Sequence, residues 1–160
     1  MSVVFDAVHA ADFFARATLH APARGASTVF NDLGTITMHT WLKDQTIVTG
    51  PAPINAITLN RYHVEYIRTD GRNTPGVDVP VPFDGAVTAT VHAQTVDVPF
   101  EIVRNAAKLE APLKSLAGLG GRVIISTICQ VTFYGKDLAG NDVQAVATIT
   151  INFGDFPDPQ

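Results

Sequence analysis

The alternation of apolar and polar residues from about Thr35 onward is the feature that most limits the folds open to this chain. In TITMHTWLKD, Ile36, Met38 and Leu42 lie on one side of an extended strand, and the other side has Thr35, Thr37, His39 and Trp41. A period of two places one row against a core and the other toward solvent, which is typical of a half-buried β-strand. Similar runs, rich in Val, Ile, Thr and Phe, are FDGAVTATVHA, QTVDVPFEIV, RVIISTICQVTFY and DVQAVATITINF.

One of these runs changes phase partway along. In NAITLNRYHVEYIR the inward row begins with Ile57 and Leu59 and continues with Tyr62, Val64 and Tyr66. One extra residue in a strand moves every later side chain to the opposite face. We therefore predict a β-bulge between Leu59 and Tyr62.

The segments between these runs have the composition of turns, with Gly, Asn, Asp and Pro in TDGRNTPG, PFDG, GLGG and DLAGND. Strands and helices do not alternate, which argues against a parallel α/β fold. We predict an all-β fold, an immunoglobulin-like antiparallel β-sandwich with about seven or eight strands. Pro112 limits the helix-favouring stretch to one short helix near 105–117. Residues 1–160 form a single domain in this interpretation, with 1–28 as an N-terminal arm or an extra strand or helix.

Composition excludes several functions. The net charge is −4, and no basic run concentrates the Lys and Arg residues, which argues against a nucleic-acid partner. No apolar run is long enough to cross a membrane. The segment MSVVFDAVHA has no positive start and no long apolar core, so we do not expect a signal peptide.

Motifs for catalysis and metal binding are missing from the sequence. None of the serines lies in a G-x-S-x-G elbow, no H-E-x-x-H occurs, and GLGG leads into a strand, where it cannot hold phosphate at a helix start. The five histidines are scattered, and Cys129 lies on the inward row of its strand. We therefore predict a protein that is not an enzyme, with no catalytic residues, no metal site and no cofactor, and a buried, unreactive Cys129.

The segment KDLAGND admits two interpretations. It does not fit an EF-hand loop, because the third residue counted from Asp137 is Ala139 and the sixth is Asp142. As a hairpin turn, it needs positive φ angles at Gly140 and Asn141 and an Asp137 carboxylate that accepts from backbone amides ahead of it. The alternative is a shallow cation site with Asp137 and Asp142 as ligands.

The acidic loop RTDGRNTPGVD also has two interpretations. It can be a solvated loop that forms its own salt bridges, with Arg68 as a partner for its carboxylates. It can also be a contact loop, because long loops at one end of a sandwich often carry binding. The contact residues would then be Asp70, Arg72, Asn73 and Asp78.

Two segments resemble known proteins. YGKDLAGNDVQAVATITI is similar to the last hairpin of bacterial immunoglobulin-like domains, in which the final strands often flank a D-x-A-G-N turn. RTDGRNTPGVDVPVPFDGAVT followed by VTFYGKDLAGNDV resembles uncharacterised β-sandwich proteins of bacterial envelopes, over roughly residues 29–156. This resemblance implies adhesion, assembly or scaffolding at an extracellular or cell-envelope location, and it supplies no catalytic residues.

These observations favour a structural subunit that assembles into a surface layer, filament or particle, as a homo-oligomer joined by strand addition. The segment SVVFDAV can add an extended strand to a neighbour through Val3, Val4 and Phe5, and Phe153 and Phe156 are predicted apolar anchors. A virion protein is a variant of this hypothesis. The alternative is a monomeric module that binds a glycan, peptide or cation through loops 69–78 and 137–142.

Overall fold

The structure is a computed structural model, and it describes residues 31–40 and 56–155. The strands in this part of the chain are β1 (Asp32–Met38), β2 (Ile57–Ile67), β3 (Phe83–Val91), β4 (Val96–Val103), β5 (Ile125–Asp137) and β6 (Asp142–Phe153). A short helix, α1 (Asn105–Leu109), and one turn of 3-10 helix at Leu113–Leu116 lie between β4 and β5.

The strands form two antiparallel sheets, one with the order β3-β2-β5-β6 and one that pairs β1 with β4. Phe100 of β4 joins them, with its ring centroid 5.7 Å from Tyr62 and 5.4 Å from Phe133. The predicted all-β fold and the short helix near 105–117 are confirmed, whereas the immunoglobulin-like strand order stays a prediction. The described residues include no helix with the length and apolar character needed to span a membrane.

The predicted bulge is present in β2. The register shifts between Leu59 and Arg61 against both neighbouring strands. Asn60 is the extra residue against β5, whereas against β3 it lies opposite two residues, Val87 and Thr88. Leu59 is buried before the shift, and Tyr62 and Val64 are buried after it. The bulge therefore keeps both halves of β2 facing the core although the alternation changes phase.

Two tyrosine hydroxyls of β2 fasten it to the backbone of β4. The Tyr62 hydroxyl accepts a hydrogen bond from the Glu101 amide at 3.0 Å, and the Tyr66 hydroxyl donates one to the Ile102 carbonyl at 2.6 Å. Ile102 is itself a bulged residue, because Asp32 pairs with Val103 while Leu33 pairs with Glu101. Ile102 therefore has no partner residue on β1, and the Tyr66 hydroxyl supplies a donor for its carbonyl.

A buried ion pair fixes α1 against the start of β1. The Lys108 ammonium lies 2.7 Å from the Asp32 carboxylate, and the Lys108 side chain is only 4% exposed. The Asn31 side chain accepts from the Asn105 amide at 2.7 Å. Burial raises the pKa of Asp32, and the hydrogen bond from Lys108 opposes that effect. This pair anchors the helix to the chain that enters β1.

The structure corrects one predicted assembly residue and confirms the prediction for Cys129. Phe153 is 0% exposed and packs edge to face on Tyr66, with the ring centroids 5.8 Å apart, so it belongs to this domain's own core and is not a surface anchor. The reason is its phase, because Phe153 lies on the inward row of β6 with Ile151. Cys129 is fully buried, as predicted, and burial raises the pKa of its thiol to about 12. The predicted residues outside the described part of the chain are Val3, Val4, Phe5 and Phe156.

Candidate functional site

The turn between β5 and β6 is held by hydrogen bonds to its own Asp137 carboxylate. One oxygen of Asp137 accepts from the backbone amides of Ala139 and Asn141, each at 2.9 Å, and the other accepts from the Asn141 side chain. The Asn141 side chain contributes most to lowering the pKa of Asp137, ahead of these amides. Gly140 has the predicted positive φ of 87°, whereas Asn141 does not have one. The prediction for Asn141 is therefore wrong, because a single left-handed glycine suffices to close the turn.

The two acids predicted as cation ligands in this hairpin have other partners. Asp142 pairs with the Lys136 ammonium at 2.7 Å, while Asp137 is occupied by the turn amides. In residues 31–40 and 56–155, no three His, Cys, Asp or Glu side chains come together in a way that could hold a metal ion.

The loop after β2 is organised around Asp70. Its carboxylate accepts from the Arg68 side chain at 3.0 Å and from the Arg72 backbone amide at 3.1 Å. The Arg68 hydrogen bond is the main cause that lowers the pKa of Asp70 to about 2. Asn73 accepts from the Arg68 amide at 2.6 Å, and Asp78 accepts from the amide of Thr74 at 3.2 Å.

This loop therefore contains the internal salt bridge that the sequence predicted. All four predicted contact residues bond within the loop. Side-chain oxygens of Asp70, Asn73 and Asp78 accept hydrogen bonds there. The Arg72 side chain donates to the Asp70 carboxylate at 3.2 Å. The side chain of Arg72 is 65% exposed and remains accessible at the surface. A contact function for this loop stays a prediction.

A groove of about 720 Å³ lies beside the β2 bulge, near the hairpin. The Arg61 guanidinium lies over the Tyr134 ring, 4.2 Å from its centroid, and 3.7 Å from the Asp84 carboxylate. Gly135 allows β2 to approach β5 closely at this point, because a Cβ at position 135 would lie 2.4 Å from the carbonyl oxygen of Thr58 on β2. The residues that line the groove are Asn60, Arg61, Tyr134, Gly135, Asp142, Val143 and Gln144.

This lining suits a polar ligand. Asn60 and Gln144 offer amide donors and acceptors, and the stacked pair of Arg61 and Tyr134 offers a flat surface with a positive charge. Sequence reasoning missed this groove, although it predicted the bulge whose residues Asn60 and Arg61 line it. Bulges often redirect side chains at binding sites, and that was the available signal.

The outer edge of β6 is the third candidate site. β6 is 12 residues long and pairs with β5 without a register shift, from Asp142 to Phe153. In the part of the chain that the structure describes, no strand pairs with its other side. From Val143 to Phe153 the sequence contains no charged residue, no Pro and no Gly. Alternate residues of such a strand direct their N–H and C=O groups away from β5.

β3 and β4 also lie at sheet edges in the described part of the chain, and both are interrupted. β3 carries Asp84 and Gly85, and β4 carries Asp97 and Pro99. Charged residues, prolines and bulges are the usual means by which proteins prevent strands from pairing at an edge. Along Val143–Phe153, β6 has none of these features.

Both rows of β6 have apolar surface that is not fully covered. On the inward row, Val143, Ala147 and Ile149 are only partly buried, although they pack against the core. On the outward row, Val146 is 46% exposed. Burial of these side chains by an added strand would be favourable, at about 25 cal/mol per Å² of apolar surface.

Comparison with protein-family models, with curated proteins and with solved structures found no match to this chain.

Proposed function

We propose that this protein is a non-catalytic structural subunit whose copies join by strand addition and apolar contacts. The assembly would be a surface layer, a filament or a particle, located at the cell envelope or in a virion. The observation that carries this proposal is the outer edge of β6, which is long and regular and lacks charge and proline from Val143 to Phe153.

The physical argument concerns the backbone. A strand edge presents a row of N–H and C=O groups that can pair with another extended chain. Proteins that remain monomeric usually block such an edge, and β3 and β4 carry the blocking residues that β6 lacks along this run. Within residues 31–40 and 56–155 this edge is unpaired, and an edge of this length is best explained by a strand that pairs with it.

The outer face of the four-stranded sheet supports the apolar part of the proposal. Ile67 of β2 and Ile128 of β5 are direct cross-strand partners, and both are exposed. Val146 of β6 adds to the exposed apolar side chains on this face. Such side chains contribute to an interface when a second copy covers them.

Two strands of a neighbouring copy are candidates for the β6 edge. One is the segment SVVFDAV, with Val3, Val4 and Phe5 as predicted from the sequence. The other is β6 itself. Both would give a homo-oligomer through main-chain hydrogen bonds.

Sedimentation velocity over a range of concentrations tests the proposal. We expect the full chain to self-associate, and we expect Val146→Lys to weaken association by placing a charge beside the edge. The matched control is Thr88→Lys, an exposed position on β3 at the opposite edge of the same sheet. A full chain that stays monomeric at high concentration would contradict the proposal.

The groove beside the bulge favours a second candidate function, that of a monomeric module binding a glycan. Aromatic rings and amides together recognise sugars, and Tyr134, Asn60 and Gln144 provide that combination. A glycan array with the full chain tests this function. Binding that is lost in Tyr134→Ala and kept in Asp70→Ala would support the groove, and an array without binding would rule this candidate out.

A further inference from the structure

The strand that pairs with the β6 edge can be identified from the sequence of β6 itself. Resting on the proposed strand addition, we propose that two copies of this chain pair β6 with β6 in antiparallel orientation, about a two-fold axis that passes through Thr148. Four strands from each copy would then form one continuous sheet. Each copy uses the same surface, which is the rule for a closed two-fold interface.

The charge pattern supports this register. The uncharged run extends from Val143 to Phe153, and Thr148 is its midpoint. Full overlap of two such runs places Thr148 opposite Thr148 of the second copy. Asp142 then lies opposite Gly154, so no like charges face each other along the paired strands.

The sizes of the side chains support it as well. On the inward row, Ala147 lies opposite Ile149 and Ala145 lies opposite Ile151, so a small residue meets a large one in each pair. Ala147 and Ile149 are only partly buried in the described residues, and the second copy would cover them. On the outward row, the exposed Val146 lies opposite a threonine, Thr150.

Neighbouring registers are less favourable. A shift by one residue between the two strands reverses the faces and is excluded by the inward row. Moving the axis to position 149 places Asp155 opposite the partly buried Val143. Moving it to position 147 places Phe153 opposite Asn141, a turn residue whose side chain is bonded to Asp137. The axis through Thr148 avoids each of these pairs.

The alternative incoming strand, SVVFDAV, matches the edge less well. It contains Asp6, which would enter an edge that offers no basic partner between Val143 and Phe153. β6 paired with itself brings no charge into that run. This difference is why we assign the partner strand to β6.

Charge substitution at Thr148 tests the proposal, because this side chain faces its own copy across the axis. Thr148→Lys and Thr148→Glu should each weaken dimerisation of the full chain by about tenfold or more, since like charges are strongly unfavourable when opposed at an interface. An equal mixture of the two variants should restore a dimer, because Lys then faces Glu. The control is Thr88→Lys on β3, which should dimerise as the unsubstituted chain does, and circular dichroism checks that each variant is folded.

Oxidative cross-linking gives a second measurement of the register. The Cβ atoms of directly opposed residues in an antiparallel pair are about 4.5–5.5 Å apart, close enough for a disulfide after a small adjustment. Thr148→Cys should therefore form a covalent dimer on mild oxidation, and Thr88→Cys should not. The native Cys129 is fully buried and should not contribute to this reaction.

The outcomes separate this inference from the proposed function on which it rests. A monomeric full chain would overturn both. A chain that self-associates but whose Thr148→Lys and Thr148→Glu variants associate normally would overturn the β6 pairing alone. Two results together would assign the incoming strand to the N-terminal segment. The double variant Val3→Lys, Phe5→Lys would lose association, and the mixture of Thr148→Lys with Thr148→Glu would fail to restore a dimer.

Discussion

The bulge in β4 allows a sharp test of how the two sheets are held together. Ile102 has no partner on β1, and its carbonyl accepts a hydrogen bond from the Tyr66 hydroxyl at 2.6 Å. Tyr66 is 4% exposed, so water has little access to this bond. The substitution Tyr66→Phe keeps the ring and its edge-to-face contact with Phe153, and removes only the hydroxyl donor.

The expected cost follows from what the substitution leaves behind. A buried carbonyl that loses its donor costs about 1–3 kcal/mol in the free energy of unfolding. At the middle of that range, the melting temperature of a chain of this length should fall by about 4–8 °C. Urea denaturation should show a lower midpoint with an unchanged slope, because the surface exposed on unfolding is nearly the same.

A matched control separates the hydroxyl from the ring. Tyr134→Phe removes a hydroxyl on the outer face, where the Tyr134 ring lies under Arg61 and is only partly buried, and it should change stability by no more than about 0.5 kcal/mol. If Tyr66→Phe were as stable as Tyr134→Phe, the carbonyl of Ile102 would not depend on Tyr66, and the proposed role of the hydroxyl would be wrong.

Three further predictions concern single residues. The pKa of Asp70 in the folded protein is about 2, below its ordinary 3.8. Its contribution to stability should therefore be complete above pH 3.8 and should be lost as the pH falls through about 2. An NMR titration of the Asp70 carboxyl carbon with a midpoint near 3.8 would contradict the bond to Arg68. The thiol of Cys129, with its pKa raised to about 12, should not react with a thiol reagent at pH 8 until guanidinium unfolds the chain, and labelling of the folded protein would refute its burial. Gly135→Ala should lower the free energy of unfolding by about 1–3 kcal/mol in thermal or urea melts, because the new Cβ would lie 2.4 Å from the Thr58 carbonyl oxygen. A variant of unchanged stability would show that β2 can move away from β5.

Features that depend only on the residues within one strand were predicted well. The alternation of Ile36 and Met38 with threonines gave the correct inward row of β1, and the change of phase before Tyr62 placed the β2 bulge. Both depend only on which face of one strand is apolar. A single sequence contains that information directly.

Features that depend on which strands are neighbours were not predicted. Arg61 and Gln144 lie in one groove because β5 sits between β2 and β6, and periodicity does not specify that order. The β4 bulge had one local signal, the consecutive buried residues Ile102 and Val103, which interrupt the alternation of that strand. Phe153 was assigned to the surface because of its place near the end of the chain, whereas its inward position in β6 gave the correct answer.

The bulge at Asn60 joins two halves of β2 whose apolar rows are out of phase. Deleting Asn60 would leave Leu59, Tyr62, Val64 and Tyr66 in one continuous alternation, so a regular strand without this residue would keep the same side chains facing the core. Burial of the aromatic residues therefore does not require the extra residue. Its effect is the irregularity of β2 against β5, where the exposed Asn60 and its neighbour Arg61 both line the groove. The surface of the sheet, and not its interior, is what this residue shapes.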